Sequence, residues 1–163
     1  MGSIVLARVD SRLIHGQVIT KWISQVGADR IVVINNALVK DPFMMSIYKM
    51  AAPPNIQIDV FSIDDSVSAW AKDQFGNGKI LLLFADLKTA LEVIEKGVEV
   101  KKLQVGGLGA APNRKVIFQN ITLDGKDMDI LKALEAHKVD VFFQVIPEDR
   151  VLSLKEVYIK YNK

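Results

Sequence analysis

Six short apolar runs, separated by stretches of helical periodicity, constrain this chain more than any other feature. Ile4–Val9, Ile31–Ile34, Ile56–Phe61, Ile80–Phe84, Leu103–Val105 and Val139–Val145 are mostly continuous in hydrophobicity rather than alternating. Runs of that kind belong to strands buried on both faces of a parallel sheet, since a sheet with one wet face would alternate. The stretches between them carry helix punctuation. Val18, Ile19, Trp22, Ile23 and Val26 share one helical face, and Gly27 stands where that helix would close. Asp41 before Pro42 reads as an N-cap with proline in the first helical position, and Pro53–Pro54 ends the segment. Ser62 to Asp65 resembles a capping box ahead of Val67, Trp70 and Ala71, with Gly76 to Gly78 as the stop. Asp86 can cap a helix carrying Leu87, Ala90, Leu91 and Ile94, which Gly97 ends. Asp127 to His137 presents Met128, Leu131 and Leu134, and Leu154 to Tyr161 reads as a terminal helix.

Strands alternating with helices of this length imply βαβ units. The fold class is therefore α/β: a doubly wound, open, mostly parallel sheet with helices on both faces, one domain over residues 1–163. Gly106 to Asn120 breaks the rhythm, and Lys115–Phe118 with Asn120–Leu123 suggests a short hairpin-like excursion. A length of 163 residues suffices for one core of this type.

The formal net charge of +2, with no basic block interleaved with aromatics, argues against a nucleic-acid partner. The absence of cysteine removes disulfides, thiolate metal sites and cysteine nucleophiles. No basic segment followed by an apolar stretch opens the chain, and Leu6 stands where a myristoylation pattern on Gly2 wants Ser or Thr. Ile80 to Ala85 is far short of the roughly 20 apolar residues that cross a bilayer. A soluble, cytoplasmic protein is expected.

The chemistry concentrates in Arg8 to Val18, RVDSRLIHGQV. His15 follows an apolar strand and precedes a helix, so it falls at a carboxyl end of the sheet, where ligands of open α/β folds gather. Free N–H groups and the positive end of the helix dipole favour an anion there. Gly16 allows a phosphate close to the backbone, and Arg12 offers a rigid fork of donors. The arginine and the helix terminus also disfavour an imidazolium, keeping a neutral nucleophilic nitrogen available. Asp10 can orient the ring or anchor Arg8 or Arg12. Arg8 either assists with phosphate or braces Asp10.

This string resembles the active-site loop of the EIIB components of mannose/fructose/sorbose-class sugar phosphotransferase systems. The match covers Arg8, Asp10, Arg12, Leu13, His15, Gly16, Gln17 and Val18, with Ser11 in a variable position. Downstream, LQVGGLGAAPNRKVIFQNITLD and FFQVIPEDR resemble that family's glycine segment and C-terminal stretch. Ile34-Asn35-Asn36 with Leu38 departs from it, since the family often has an acidic residue after the second strand. The resemblance implies that His15 accepts a phosphoryl group, on Nδ1, from a phosphorylated EIIA partner. It then passes the group to a sugar during uptake through membrane EIIC and EIID subunits, with which the domain associates peripherally. Arg12 and the backbone near Gly16 and Gln17 would hold the phosphate. No metal or nucleotide cofactor is required, because the energy arrives in the phosphohistidine bond. Two protein partners must reach His15 in turn, so an exposed ring on a flat surface is expected.

Two other functional classes share some of these features. Histidine phosphatases carry arginine directly before the nucleophilic histidine, where this chain has Ile14, and need a second catalytic histidine, for which only His137 is available. A receiver or nucleotide-binding module fits the architecture, but a receiver wants paired acids after the first strand and Asp10 stands alone. Gly106-Gly107-Leu108-Gly109 is not a dinucleotide fingerprint and reads as turn glycine. Asp64–Asp65 reads as helix capping, His137 as a helix end, and Trp22 and Trp70 as core.

Overall fold

The computed structural model describes residues 1–163. Its elements run β1 (Ser3–Asp10), α1 (Gly16–Val26), β2 (Arg30–Ile34), a 3-10 turn (Leu38–Lys40), α2 (Pro42–Ala51), β3 (Gln57–Phe61), α3 (Ile63–Asp73), β4 (Lys79–Phe84), α4 (Leu87–Glu95), β5 (Lys102–Gly107), β6 (Lys115–Phe118), β7 (Ile121–Leu123), α5 (Gly125–Ala136), β8 (Asp140–Phe143), β9 (Leu152–Ser153) and α6 (Leu154–Tyr161). Seven strands form one sheet in the order β3-β2-β4-β1-β5-β8-β9, parallel except for the β8–β9 pair. All six sequence-derived strands are present with shifted ends. β9 is an addition: two residues are too few to leave a pattern.

The continuous apolar runs are explained by the two faces. Ile80, Leu82 and Phe84 of β4 enter the larger core beneath α3, α4, α5 and α6, while Leu81 and Leu83 enter the smaller one beneath α1 and α2. β2 divides the same way, with Val32 and Ile34 on one side and Ile31 and Val33 on the other. All of these side chains are fully buried. Period-two geometry therefore persists within each run, but both phases are apolar.

The helix ends follow the expected chemistry in most places. Asp41 accepts from Met44 N (3.0 Å) with Pro42 behind it, and Asp86 accepts from Thr89 N (2.7 Å). Ser62 accepts from Asp65 N (3.1 Å), which is half of the anticipated capping box. The complete boxes are Asp124 with Asp127 and Ser153 with Glu156. α3 stops at Asp73, before Gly76, because Gln74 already turns into the left-handed region (φ 54). Asn35 and Asn36, at the departure from the family pattern, accept from Leu38 N and Ile63 N, both at 2.8 Å. They stitch the turn after β2 to the start of α3.

The connections set the position of the site. After β1 the chain leaves to the α1 face, and after β5 it reaches α5 on the opposite face. Adjacent parallel strands whose continuations part in this way open a crevice at their carboxyl ends. The β6–β7 hairpin closes one side of it: Leu108 N donates to Asn120 O (3.1 Å) and Thr122 N to Leu108 O (3.0 Å), tying the hairpin to the end of β5.

Candidate active site

Arg8 and Asp10 alternate with Ala7 and Val9 along β1, so they face α1 while their neighbours enter the larger core. Both are completely buried. A guanidinium and a carboxylate are held there only because nearly every polar atom finds a partner. Arg8 Nη2 donates to Asp10 Oδ2 (3.1 Å) and Val145 O (3.1 Å), and Nη1 to Gln144 O (3.2 Å) and Gln104 Oε1. The guanidinium lies 5.6 Å from the centre of the Trp22 ring, whose Nε1 donates to Val145 O at 2.9 Å. Arg8 therefore braces Asp10 from inside the fold and has no surface to offer a phosphate.

β5 makes this possible. Val9 pairs with Val105 and Asp10 with Gly107, leaving Gly106 as the extra residue of a bulge. A Cβ on Gly106 would overlap the Arg8 guanidinium, and one on Gly107 would come within 2.8 Å of Asp10 Oδ1 and 3.1 Å of Arg12 Nη2. The two glycines are strand residues cleared for buried charge, which corrects their reading as turn glycines.

Beyond β1 the chain folds back, Leu13 N donating to Asp10 O (2.9 Å) with Leu13 at φ 55. Arg12 returns to the same carboxylate: its N and Nε donate to Asp10 Oδ1 (3.1 and 3.0 Å) and Nη2 to Oδ2 (2.9 Å). Unlike Arg8, its side chain is 41% exposed. Asp10 thus anchors both arginines. Burial opposes its charge, but the Arg12 hydrogen bonds and the Arg8 charge outweigh that and hold the carboxyl below its ordinary range.

His15 is the N-cap residue of α1, with extended backbone and no capping hydrogen bond of its own. Gly16 (φ 42) and Gln17 open the helix; both are exposed, and open space surrounds the Gly16 Cα. Nδ1 lies 2.8 Å from Leu13 O, the spacing of an N–H donated to that carbonyl. Nε2 lies 3.6 Å from Asp10 Oδ2, buried and without a hydrogen-bond partner. The side chain is only 20% exposed, so the anticipated open ring is instead tucked against its own loop. Burial is the main force pushing its pKa below the ordinary histidine value. Arg12 and Arg8 push the same way less strongly, and the Leu13 carbonyl and Asp10 oppose them. The direction agrees with the sequence argument, whereas the leading cause is desolvation, not the arginines.

Gln104, Gln144, Trp22 as a brace and Asn120 were not identified as site residues from sequence. The glutamines left a trace, being the only polar side chains inside LQVGG and FFQV. Asn120 left none. His137 pairs with Glu95 (3.5 Å) at the end of α5 and takes no part in the site. Trp70 is only half-buried. A cavity of about 490 Å³ opens around the first residues of β1 with Trp70, Lys101 and Phe142 in its wall, and includes none of the site residues. No group of three or more His, Cys, Asp or Glu side chains is arranged to hold a metal ion.

Residues 4–163 match the family described as the PTS system sorbose subfamily IIB component. The sorbose-specific EIIB component of Lacticaseibacillus casei is 30% identical over 146 residues, covering 90% of this chain and 89% of that one. The mannose-specific EIIAB component of Escherichia coli is 26% identical over 158 residues, 97% of this chain but 49% of that longer protein. The crystal structure of manxB from Thermoanaerobacter tengcongensis superposes with a TM-score of 0.94 at 37% identity, covering 100% of this chain and 99% of that one.

Proposed function

This chain belongs to the sorbose subfamily of phosphotransferase-system IIB components, and from that premise we propose that it is a phosphocarrier working through His15. A neutral His15 nitrogen attacks the phosphorus of a phosphohistidine on an EIIA partner. An N–P bond forms on His15 as the donor's N–P bond breaks, and the donor imidazole keeps the electron pair. A sugar hydroxyl oxygen then attacks the same phosphorus. The O–P bond forms, the His15 N–P bond breaks, and the hydroxyl proton is released. The observation that carries the reading is the charge around the ring: two guanidinium groups, Arg8 and Arg12, against the single carboxylate of Asp10. That leaves one positive charge uncompensated beside a helix N-terminus, which suits an arriving dianion.

In this scheme Arg12, the exposed cation, and the backbone N–H groups of Gly16 and Gln17 hold the phosphoryl oxygens, while Arg8 and Asp10 fix Arg12. The resemblance puts the group on Nδ1, so the ring must first leave the Leu13 carbonyl and carry its proton on Nε2, which frees the Nδ1 lone pair. Giving up one hydrogen bond costs about 1 kcal/mol. The whole of 1–163 acts as the EIIB domain, at the cytoplasmic face beside membrane EIIC and EIID subunits; no helix here is long and apolar enough to cross a membrane. EIIA as donor is supported by the Escherichia coli relative, which is about twice as long and is named for A and B together.

The test is intact mass after incubation with phosphoenolpyruvate, the general phosphocarriers and an EIIA of this class. One acid-labile phosphate on the parent and none on His15→Ala is expected; a labelled His15→Ala would overturn the assignment. Arg12→Ala should slow transfer roughly a hundredfold to a thousandfold, the range for losing one transition-state donor.

A further inference from the structure

Arg12 has a second clamp that no motif predicts. Opposite Asp10, the half-buried Asn120 amide faces the guanidinium. With its carbonyl oxygen toward the arginine, the orientation the partners require, it accepts from Nη2 at 2.9 Å and from Nη1 at 3.3 Å. Asp10 takes Nε and the other Nη2 hydrogen. Of the five N–H donors of Arg12, only one on Nη1 is then left without a protein acceptor. With only one donor free, a phosphoryl group gripped by two Arg12 donors must displace or share one of these acceptors, and the neutral amide yields more easily than the carboxylate.

We propose that Asn120 is a positioning residue of the phosphoryl site, holding Arg12 in the uncharged carrier and releasing it to the phosphoryl oxygens once His15 is charged. The inference rests on the phosphocarrier reading of His15. An amide suits this task because it both accepts and donates. Its oxygen satisfies Arg12 while the site is empty, and its NH2 can turn to a phosphoryl oxygen afterwards. A carboxylate of the same shape would satisfy Arg12 but erase the one uncompensated positive charge of the cluster and repel the incoming dianion. The hairpin fixes the residue independently of its side chain, through the Asn120 carbonyl accepting from Leu108 N (3.1 Å). Asn120 is not among the positive-φ residues of this turn, unlike Gln119 (φ 45), so substitution introduces no backbone strain.

Asn120→Asp and Asn120→Ala test the proposal in the full chain, with a phosphorylated EIIA as donor. Asn120→Asp should lower the ratio of phosphorylated to unphosphorylated carrier at exchange equilibrium about tenfold, the scale of one like-charge contact that water largely screens. Asn120→Ala should change the turnover of phosphoryl acceptance while leaving the KM for the donor unchanged, and should free the Arg12 Nη signals to rotate in NMR spectra of the uncharged carrier. Parent-like exchange equilibrium in Asn120→Asp, or Arg12 signals in Asn120→Ala identical to the parent, would overturn it. A parent that accepts no phosphoryl group would instead overturn the phosphocarrier reading, and the Arg12 spectra would still decide whether Asn120 restrains that guanidinium.

Discussion

Two arginine–aspartate clusters occur in this molecule, and they are built with opposite stoichiometry. In the first, Arg8 and Arg12 share the one carboxylate of Asp10, which is wholly buried. In the second, Arg114 alone holds Asp124 (2.8 Å) and Asp127 (2.6 Å), both partly exposed, while its remaining donors reach Thr122 Oγ1 and O. The second cluster carries a net negative charge at the N-terminus of α5 and ties the loop after β5 to the start of that helix. It leaves no positive charge for an anionic ligand. The first leaves positive charge beside the His15 ring. The comparison separates an ion cluster that fastens a fold from one that also prepares a site.

The sharpest way to break that contrast is a glycine in each cluster. Gly106→Ala should lower the unfolding free energy by about 4 kcal/mol, because the new methyl group displaces a buried, paired guanidinium. Gly125→Ala, in the first turn of α5 where nothing lies within 4 Å of the added Cβ, should stay within about 0.5 kcal/mol of the parent or gain slightly. Urea unfolding of the two variants decides. Equal stabilities would mean that the bulge relaxes and that the buried cluster is not fixed by β5.

Removing the arginines themselves gives the next largest difference. Arg8→Met strands a buried carboxylate with only Arg12 for company and should cost about 3 kcal/mol. Arg114→Met leaves two carboxylates that water can reach and should cost about 1 kcal/mol. It should also leave phosphoryl acceptance at the parent rate, since Arg114 touches none of the His15 loop. A phosphorylation defect in Arg114→Met would show that the second cluster is more than a fastener.

The sequence disclosed these regions unequally. The strands, most caps and the loop from Arg8 to Gln17 were legible because each rests on residues a few positions apart: an apolar run, an Asp three residues before a free N–H, a histidine at the start of a helix. The bulge at Gly106 was not, since its cause is a guanidinium 98 residues earlier in the chain, and a glycine after an apolar strand looks the same whether it turns the chain or makes room. Asn120 was hidden for the same reason, reaching Arg12 only through the hairpin. The orientation of His15 needed coordinates too. Its proximity to phosphate chemistry could be argued from spacing, but not the closure of its ring onto the Leu13 carbonyl.

The smallest expected effect is the order in which the two clusters titrate. His15 lies below the ordinary histidine value, chiefly through burial, so on acidification from neutrality the unfolded chain takes up its proton first. Stability contributed by the neutral ring is therefore present above about pH 6.5 and declines as the pH falls below it. Phosphoryl acceptance should hold level through the same upper range, because the nucleophile stays neutral. Further down, the carboxylates separate. Burial raises Asp127 above the ordinary aspartate value despite Arg114, so it protonates early and its protonation favours the folded chain. Asp10 is depressed instead, so its contribution is full above the ordinary carboxylate range and is lost as the pH falls from there through its own lower value. Carbon-detected NMR of the carboxyl groups should therefore show Asp127 taking up its proton before Asp10. If Asp10 gained its proton before Asp127, the two arginines would not be outweighing its burial, and the carboxylate that anchors Arg8 and Arg12 would already be lost at mildly acidic pH.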